Sequence, residues 1–397
     1  MENLAPSEVT MWEAPEKASV LQTTDEDINR KYAKRELRII TESNREQLPN
    51  FVEAFKRKDW MNLRPFYQRR PRWSPDRQSK LIESFIMNIP VPPLFVYESD
   101  LARYEVMDGQ QRITAIIDFY ANRFALEGLE QWPELNGKIY DKLPSEIRKG
   151  IDRRSISYIV LLKESAPSTE DEMLLRQQVF ERLNTGGVAL SNQEVRNSIY
   201  QSKFSKLLDD MSQNPAFRSV WGIPPGKADE KGRFPDDLAK DRLFSTMRDT
   251  EIVLRFFALR QAQKYRLGMK GFLDRYMLRA RSFGDDDIIF LTMLFTHTMD
   301  LAYGLYGETL FRPWDHRRPG WADRPQVALS DAVMVACSRH LDDATLLLDR
   351  RGEVLAATQD LLEKASPGSF TGQRNTKGDV IARIDAFDGL LTEVLSR

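Results

Sequence analysis

The pattern of hydrophobic and polar positions along the chain changes its period near residue 200. Before that point, short apolar or alternating runs bounded by turn residues predict strands, and runs with helical spacing predict helices. The predicted strands cover residues 90–99, 103–108 and 155–164. The predicted helices cover residues 74–89, 110–123, 170–184 and 191–200.

Capping residues support two of these helices. Ser74 is a candidate N-cap, and Pro75 stands at the first helical position, where its fixed φ suits a helix. Ser191 is followed three residues later by Glu194, which is the pattern of a capping box. Glu194 and Asn197 also share one helix face, so a role in a site stays open beside the capping role.

After residue 200 the pattern is almost purely helical. Long, apolar and helically periodic segments cover residues 248–265, 285–306, 329–350 and 352–365. We therefore predict an α+β fold class, with an α+β domain over residues 36–200 and an all-helical C-terminal domain over residues 201–397. Residues 1–35 are predicted to form an acidic, partly flexible N-terminal segment, because acids outnumber bases there.

The composition excludes several classes of protein. A single cysteine, Cys337, rules out an internal disulfide framework and a CxxC zinc site, which fits a reducing, cytoplasmic setting. The chain has no apolar run of about 18 residues and no basic-then-apolar leader, so we predict neither a membrane span nor a signal peptide. The formal net charge of −1 argues against a polycation that coats nucleic acid.

One local segment is strongly basic. Residues 56–80 hold nine bases against two acids, and four large aromatic residues are interleaved with them. Bases combined with aromatics suit phosphates and stacked nucleobases, and Lys56, Arg57 and Lys58 are the candidate DNA contacts. A solvated basic loop packed by its own aromatic residues explains the same composition.

The stretch "RYEVMDGQQRITAIIDF", from Arg103 to Phe119, joins a predicted strand to a predicted helix. Gly109 suits the φ > 0 or the close approach that a tight turn requires. Gln110, Gln111 and Arg112 then occupy the first helical turn, whose unpaired N–H groups and dipole form a ready anion site. The preceding Asp108 is able to orient Arg112, cap the helix or hold a metal-bound water. A plain strand–glycine–helix joint with an exposed polar turn is the structural alternative.

Three ordered blocks of sequence resemble a bacterial family. They are "LRPFYQRRPRWSPDRQSKLIESFIMNIPVPPLFVYE", "YEVMDGQQRITAIIDFY" and "VFERLNTGGVALSNQEVRN", which together span residues 63–197. The resemblance is to the domain of unknown function 262, the N-terminal domain of GmrSD-type, modification-dependent restriction enzymes. It implies a ParB/sulfiredoxin-like nucleotide-binding fold, a nucleoside triphosphate and Mg²⁺ as ligands, and a role in defence against foreign DNA.

The resemblance also implies residue roles. Nucleotide contacts are expected at Gly109, Gln110, Gln111 and Arg112, and at Arg69 and Arg70 of the first block. Asp108 and Glu181 are the expected catalytic carboxylates, and Asn184 is the expected metal ligand. A structural role for Glu181 as an exposed helix residue, and for Asn184 at a helix C-terminus, stays open.

The second half of the chain lacks a nuclease pattern. GmrSD-type enzymes carry a His-Asn-His-like nuclease, whereas this chain has only three histidines, His297, His316 and His340, which are far apart in sequence. The "FPDD" stretch at residues 234–237 has no partner for a PD-(D/E)xK site. The resemblance therefore covers the nucleotide-binding half, and the helical half has no obvious catalytic cluster.

Three functional hypotheses follow. The first is a sensor or switch that binds and hydrolyses a nucleoside triphosphate in a restriction-like defence system. The second is a ParB-like DNA-binding module that uses nucleotide only as a conformational ligand, and the third is a DNA nickase or nuclease. The expected partners are the nucleotide, DNA, a separate nuclease or defence subunit and further copies of the chain, but no membrane.

Overall fold

The computed structural model describes residues 4–13, 24–33, 40–56, 60–62, 73–162, 179, 182, 191–229, 234–315, 320–366, 368–373 and 375–397. The chain forms two compact units. The sheet unit consists of Ala18–Leu190 and Lys227–Pro235. The helical unit consists of Met1–Lys17, Ser191–Gly226 and Asp236–Arg397.

The sheet unit is built on five strands in the order β1-β5-β3-β4-β2. The strands are β1 (Thr41–Gln47), β2 (Met61–Asn62), β3 (Leu94–Asp100), β4 (Arg103–Asp108) and β5 (Ser155–Leu161). Strand β3 pairs antiparallel with β4 and parallel with β5. At the edges, β1 pairs antiparallel with β5, and β2 pairs parallel with β4.

One face of this sheet carries the core of the sheet unit. Alternate residues such as Val96, Val106 and Val160 are buried on that face, as strand periodicity requires. Ile82 and Ile116 pack into the same cluster from two of the helices. The helices that the described residues of this unit delimit are α2 (Asp25–Ala33), α3 (Leu48–Lys56), α4 (Pro75–Met87), α5 (Gln110–Tyr120) and α6 (Ser145–Asp152).

The helical unit contains α1 (Pro6–Thr10) and the helices that follow residue 190. The latter are α7 (Asn192–Ile199), α8 (Lys203–Met211), α9 (Pro215–Trp221), α10 (Asp236–Lys240), α11 (Arg242–Ser245), α12 (Arg248–Leu259), α13 (Gly268–Arg279), α14 (Asp285–Tyr306), α15 (Val327–Arg339), α16 (Ala344–Asp349), α17 (Arg351–Lys364) and α18 (Lys377–Ser396). The mixed N-terminal fold and the helical C-terminal region predicted from the sequence are confirmed.

The structure corrects the prediction of an all-helical second half in two places. Trp314–Asp315 and Gly320–Trp321 form a two-stranded antiparallel sheet, in which the two tryptophan rings meet edge to face at 5.5 Å. The helix predicted over residues 329–350 is divided into α15 and α16 by a 3₁₀ turn, Leu341–Asp343. Two consecutive acids in that turn interrupt an otherwise apolar pattern.

The N-terminal segment also differs from the prediction of a partly flexible region over residues 1–35. Pro6–Thr10 is helical, and Glu8 is completely buried within the helical unit. Composition alone suggested solvated acids, but Glu8 is buried because it has a cationic partner in Arg260. The helical unit resumes at Ser191, ten residues before the predicted boundary at residue 201.

Among the described residues, one segment is long and apolar enough to be a membrane-span candidate by length and composition. It is Asp285–Thr309, which contains α14 and has a mean hydropathy of 1.4 in its most apolar window. Of that window, 44% is buried inside the protein, and a core helix of a soluble protein passes the same test. Here α14 packs against α8, α15 and α17.

Candidate functional site

The joint between β4 and α5 is a sharp turn made possible by Gly109. This residue has φ +96° and is the N-cap of α5, without a side-chain cap hydrogen bond. A Cβ at this position would lie 2.3 Å from Cδ2 of Leu94, a residue that is fully buried on β3. The predicted turn geometry is therefore confirmed, and only glycine fits both the backbone angle and the packing.

A strand irregularity lies next to this turn. Phe95 pairs with Asp108, but Val96 pairs with Val106, so the register between β3 and β4 shifts by one residue. Bulges of this kind bend a strand and redirect its last side chain. Here the irregularity places Asp108 at the end of β4, immediately before the first turn of α5.

Arg112 turns its guanidinium toward the protein. Its Nη2 donates to the Asp108 carboxylate at 2.6 Å, and its Nη1 donates to the backbone carbonyls of Pro92 and Pro93, the latter at 3.2 Å. The side chain is only 12% exposed. Burial lowers the pKa of Arg112, and the adjacent Asp108 carboxylate opposes that shift. Arg112 therefore links residues 90–93, which we call the proline loop and which precede β3, to the start of α5.

Gln110 and Gln111 have a different environment. Both side chains are partly exposed at the first turn of α5, and no hydrogen bond joins either amide to another described residue. The backbone N–H groups of this turn precede the first intrahelical bond, in which Ile113 donates to the Gly109 carbonyl at 2.9 Å. The turn thus offers backbone and amide donors at the positive end of a helix dipole, which is suited to an anion.

Asp108 is the acidic side chain that the structure shows at the joint itself. One of its oxygens accepts from Arg112, while 44% of the side chain remains exposed. Of the three roles that the sequence left open, the structure shows the one in which Asp108 orients Arg112. A single carboxylate oxygen together with phosphate oxygens suffices for Mg²⁺, which keeps several waters in protein sites. Elsewhere among the described residues, no group of three or more His, Cys, Asp or Glu is arranged to hold a metal ion.

Several sequence-predicted site residues fall beyond the described part of the chain. They are Arg57, Lys58, Arg69, Arg70, Glu181 and Asn184. Lys56 is described, and it lies at the exposed end of α3 in an ion pair with Glu53, where both side chains are about two-thirds exposed. The structure therefore brings Asp108, Gly109, Gln110, Gln111 and Arg112 together and leaves the other predicted contacts as expectations.

Glu194 and Asn197 belong to the helical unit. The Ser191 backbone N–H donates to Glu194 at 2.7 Å, and the Glu194 backbone N–H donates to the Ser191 hydroxyl at 3.2 Å, which confirms the capping box. Asn197 is fully buried and accepts from the Gln193 amide at 2.9 Å. Both side chains thus hold α7 in place.

Sequence reasoning missed the proline loop. The carbonyls of Pro92 and Pro93 and the side chain of Leu94 complete the joint, although they lie about 15 residues before Gly109. The run "PVPP" before β3 is the sequence signal that could have indicated this loop. Prolines interrupt helices and sheets, so carbonyl groups near them are left to accept hydrogen bonds from side chains.

Comparison with known proteins finds one family model that matches this region. Residues 22–201 match the family model described as the GmrSD restriction endonuclease, N-terminal domain. No curated protein matches the chain significantly, and no solved structure does so. The matched range contains the whole β4–α5 joint and ends two residues after α7.

Proposed function

We propose that residues 22–201, which match the family model of the GmrSD N-terminal domain, bind a nucleoside triphosphate at the start of α5. The family assignment implies a component of a restriction-like defence system. Within such a system the domain would act as a cytoplasmic sensor or switch that binds and hydrolyses the nucleotide. A ParB-like fold and Mg²⁺ are parts of the same proposal.

One observation carries the proposal. The first turn of α5 presents unpaired backbone N–H groups and two glutamine amides without a partner among the described residues, directly after a glycine with φ +96°. Donors at a helix N-terminus are a general solution for binding phosphate. The turn itself depends on Gly109, because a Cβ there would collide with the buried Leu94 side chain.

The roles of the residues follow from these contacts. Gln110, Gln111 and the backbone of the first turn would donate to phosphate oxygens, while Arg112 would hold the turn and contribute positive charge. Asp108 has an exposed carboxylate edge, so it would serve Mg²⁺ or a metal-bound water. Arg69 and Arg70 would add phosphate contacts, Glu181 a catalytic carboxylate and Asn184 a metal ligand.

Calorimetry on the full-length protein tests nucleotide binding. ATP, GTP, CTP and UTP are titrated with and without Mg²⁺ into the wild type and into a Gln110→Ala/Gln111→Ala variant. We expect the double variant to bind at least about tenfold more weakly, since it loses two hydrogen bonds to a charged ligand. Gln78→Ala is the matched control, because Gln78 is also partly exposed in the first turns of a helix of the sheet unit. Equal affinity in all three proteins would exclude this joint as the nucleotide site.

Phosphate release distinguishes hydrolysis from binding alone. A switch that hydrolyses its nucleotide should release inorganic phosphate. The Asp108→Asn substitution should slow this release more than it weakens nucleotide binding. Binding without release would favour the second hypothesis, in which nucleotide is a conformational ligand of a DNA-binding module. Nicking of a supercoiled plasmid by the purified chain would favour the nuclease.

DNA and a separate nuclease or defence subunit are the proposed macromolecular partners, with further copies of the chain as a possible assembly. The net charge of −1 restricts DNA contact to a local surface. Binding through Lys56, Arg57 and Lys58 should weaken with salt by a log–log slope of about −0.9 per neutralised phosphate. Replacing all three by glutamine should reduce that slope and leave nucleotide affinity unchanged.

A further inference from the structure

The N-terminal segment of residues 5–12 is held in the helical unit by specific polar contacts. We refer to this segment as the latch. Its middle forms α1, which has only five residues, Pro6–Thr10. A helix of this length has no stability of its own in water, so its conformation depends on the groove that holds it.

The first part of the groove recognises a carboxylate. Glu8 is completely buried, forms an ion pair with Arg260 and accepts a hydrogen bond from the Tyr276 hydroxyl. Its other oxygen accepts from the Ala5 backbone N–H at 2.8 Å. Burial and the Glu8 charge raise the pKa of Tyr276 well above its ordinary value, so the hydroxyl remains a donor.

The second part of the groove recognises an indole. The Trp12 ring stacks on Phe272 with centroids 6.0 Å apart and an interplanar angle of 9°. Its Nε1 donates to the Gln261 side chain at 2.6 Å. The Arg275 guanidinium lies 5.4 Å from the centre of the indole ring, within range of a cation–π interaction.

A third contact fixes the orientation of the latch. The Ser7 backbone N–H and hydroxyl donate to the two oxygens of Asp287, at 2.9 and 2.7 Å. Asp287 is itself buried at the start of α14. Three sets of contacts therefore hold the latch: those of the Glu8 carboxylate, those of the Trp12 indole, and the two hydrogen bonds from Ser7 to Asp287.

The segment that follows residue 190 is anchored on the same helices as the latch. Arg196 of α7 is 2% exposed and donates to Glu251 of α12 at 2.8 Å and to Asp274 of α13 at 2.7 Å. Arg260, which ends α12, and Tyr276 of α13 hold the latch. Both chain ends that flank the sheet unit thus reach the α12–α13 pair, one through Glu8 and one through Arg196.

We propose that α12 and α13 form a common anchoring platform, within the helical unit, for the segments that precede and follow the sheet unit, and that the latch is a releasable peptide ligand of this platform. Helix α7 continues directly into α8, whereas the latch contains only the five-residue α1, whose conformation depends on the groove. The ligand that the groove takes is a short peptide with a carboxylate one helical turn before an indole. This proposal concerns attachment and is independent of nucleotide binding.

A nicked full-length protein tests the proposal. A protease site is introduced between Glu13 and Thr24, and the folded protein is cut and mixed with a fluorescent peptide that has the sequence of residues 4–13. We expect the peptide to exchange into the groove and its fluorescence anisotropy to rise. A Glu8→Gln peptide should bind about ten- to a hundred-fold more weakly, because it loses contacts to a charged group. A Glu13→Gln peptide is the matched control, since Glu13 is exposed.

Hydrogen exchange in the uncut chain is the second measurement. Glu8→Gln should speed amide exchange in the latch and in α13, while Glu13→Gln should change neither. The proposal is overturned if the nicked protein takes up no peptide under conditions where it stays folded, or if the Glu8→Gln and wild-type peptides bind equally. It is equally overturned if Glu8→Gln leaves the exchange of the latch unchanged.

Discussion

At the scale of single residues, Gly109 combines two requirements that no other residue meets. Its φ of +96° is unfavourable for a residue with a Cβ, and that Cβ would collide with the buried Leu94 side chain. The sequence predicted a positive φ or a close approach at this position, because a tight turn from a strand to a helix requires one or the other. The contact with Leu94 could not be predicted, since it depends on how β3 and β4 pair.

Gly109→Val should therefore destabilise the protein strongly. Positive φ costs roughly 1–2 kcal/mol for a residue with a side chain, and overpacking adds roughly 1–3 kcal/mol. Urea denaturation should show a loss of about 2–5 kcal/mol in the free energy of unfolding. The control is Gly150→Ala in α6, where an added Cβ meets nothing within 4 Å. Wild-type stability for Gly109→Val would mean that the turn relaxes.

Arg112 is more structural than its sequence context suggested. The sequence resemblance placed Arg112 among the nucleotide contacts, but its side chain bonds Asp108 and two proline carbonyls. Arg112→Ala should lower the free energy of unfolding by about 1–3 kcal/mol, because these acceptors lose a charged donor. Arg112→Lys keeps the charge without the planar guanidinium. Its free energy of unfolding in urea should lie between those of the wild type and Arg112→Ala. An unchanged midpoint for Arg112→Ala would show that these contacts are absent in solution.

At the scale of elements, the bounds of strands and helices were predicted most accurately where the hydrophobic pattern along the sequence is most regular. Strand β4 occupies residues 103–108 as expected, and α14 covers 285–306. Strand β1 was missed because six of its seven residues are exposed and the seventh is half-buried, so it shows no period of two. It is assigned to the sheet by backbone pairing with β5, which no residue pattern reveals.

The role of α7 was also beyond the sequence. Its capping box was predicted, but the ion pairs of Arg196 with residues 55 and 78 positions away were not. Charge pairs at such separations depend on helix packing, and α7 belongs to the helical unit although the family match includes it.

Removing this arginine should be costly. Arg196→Met leaves two carboxylates, Glu251 and Asp274, without their shared cation, and loss of one partner from a buried pair costs about 3–5 kcal/mol. Thermal unfolding should show a clear decrease in the melting temperature. Arg248→Met is the matched control, because Arg248 is exposed at the start of α12, and it should change stability by less than about 0.5 kcal/mol. Similar melting temperatures for the two variants would contradict the anchoring role of Arg196.

At the scale of the whole molecule, the single cysteine reports on the integrity of the helical unit. Cys337 lies on α15 and is 1% exposed, among residues that pack against α12, α14 and α18. Burial raises the pKa of Cys337 to about 12. The thiolate is the reactive form, so both access and ionisation protect it in the folded state.

Native protein should thus react very slowly with a thiol reagent at neutral or mildly alkaline pH. The folded-state pKa is raised, so the thiol remains protonated until the helical unit opens, and urea should accelerate labelling in parallel with unfolding. Absorbance of the released chromophore measures the rate, with free cysteine as the reference. Rapid stoichiometric labelling without denaturant would contradict the packing of α15.

The pairing of Glu8 with Arg260 has a consequence for the order in which the chain is made. The two residues are 252 positions apart, and a ribosome adds about 5–20 residues per second. Roughly 13–50 s therefore pass between the synthesis of Glu8 and that of Arg260. Throughout that interval the latch has no partner for its carboxylate or its indole. The latch therefore reaches its final position only after α12 and α13 have been made.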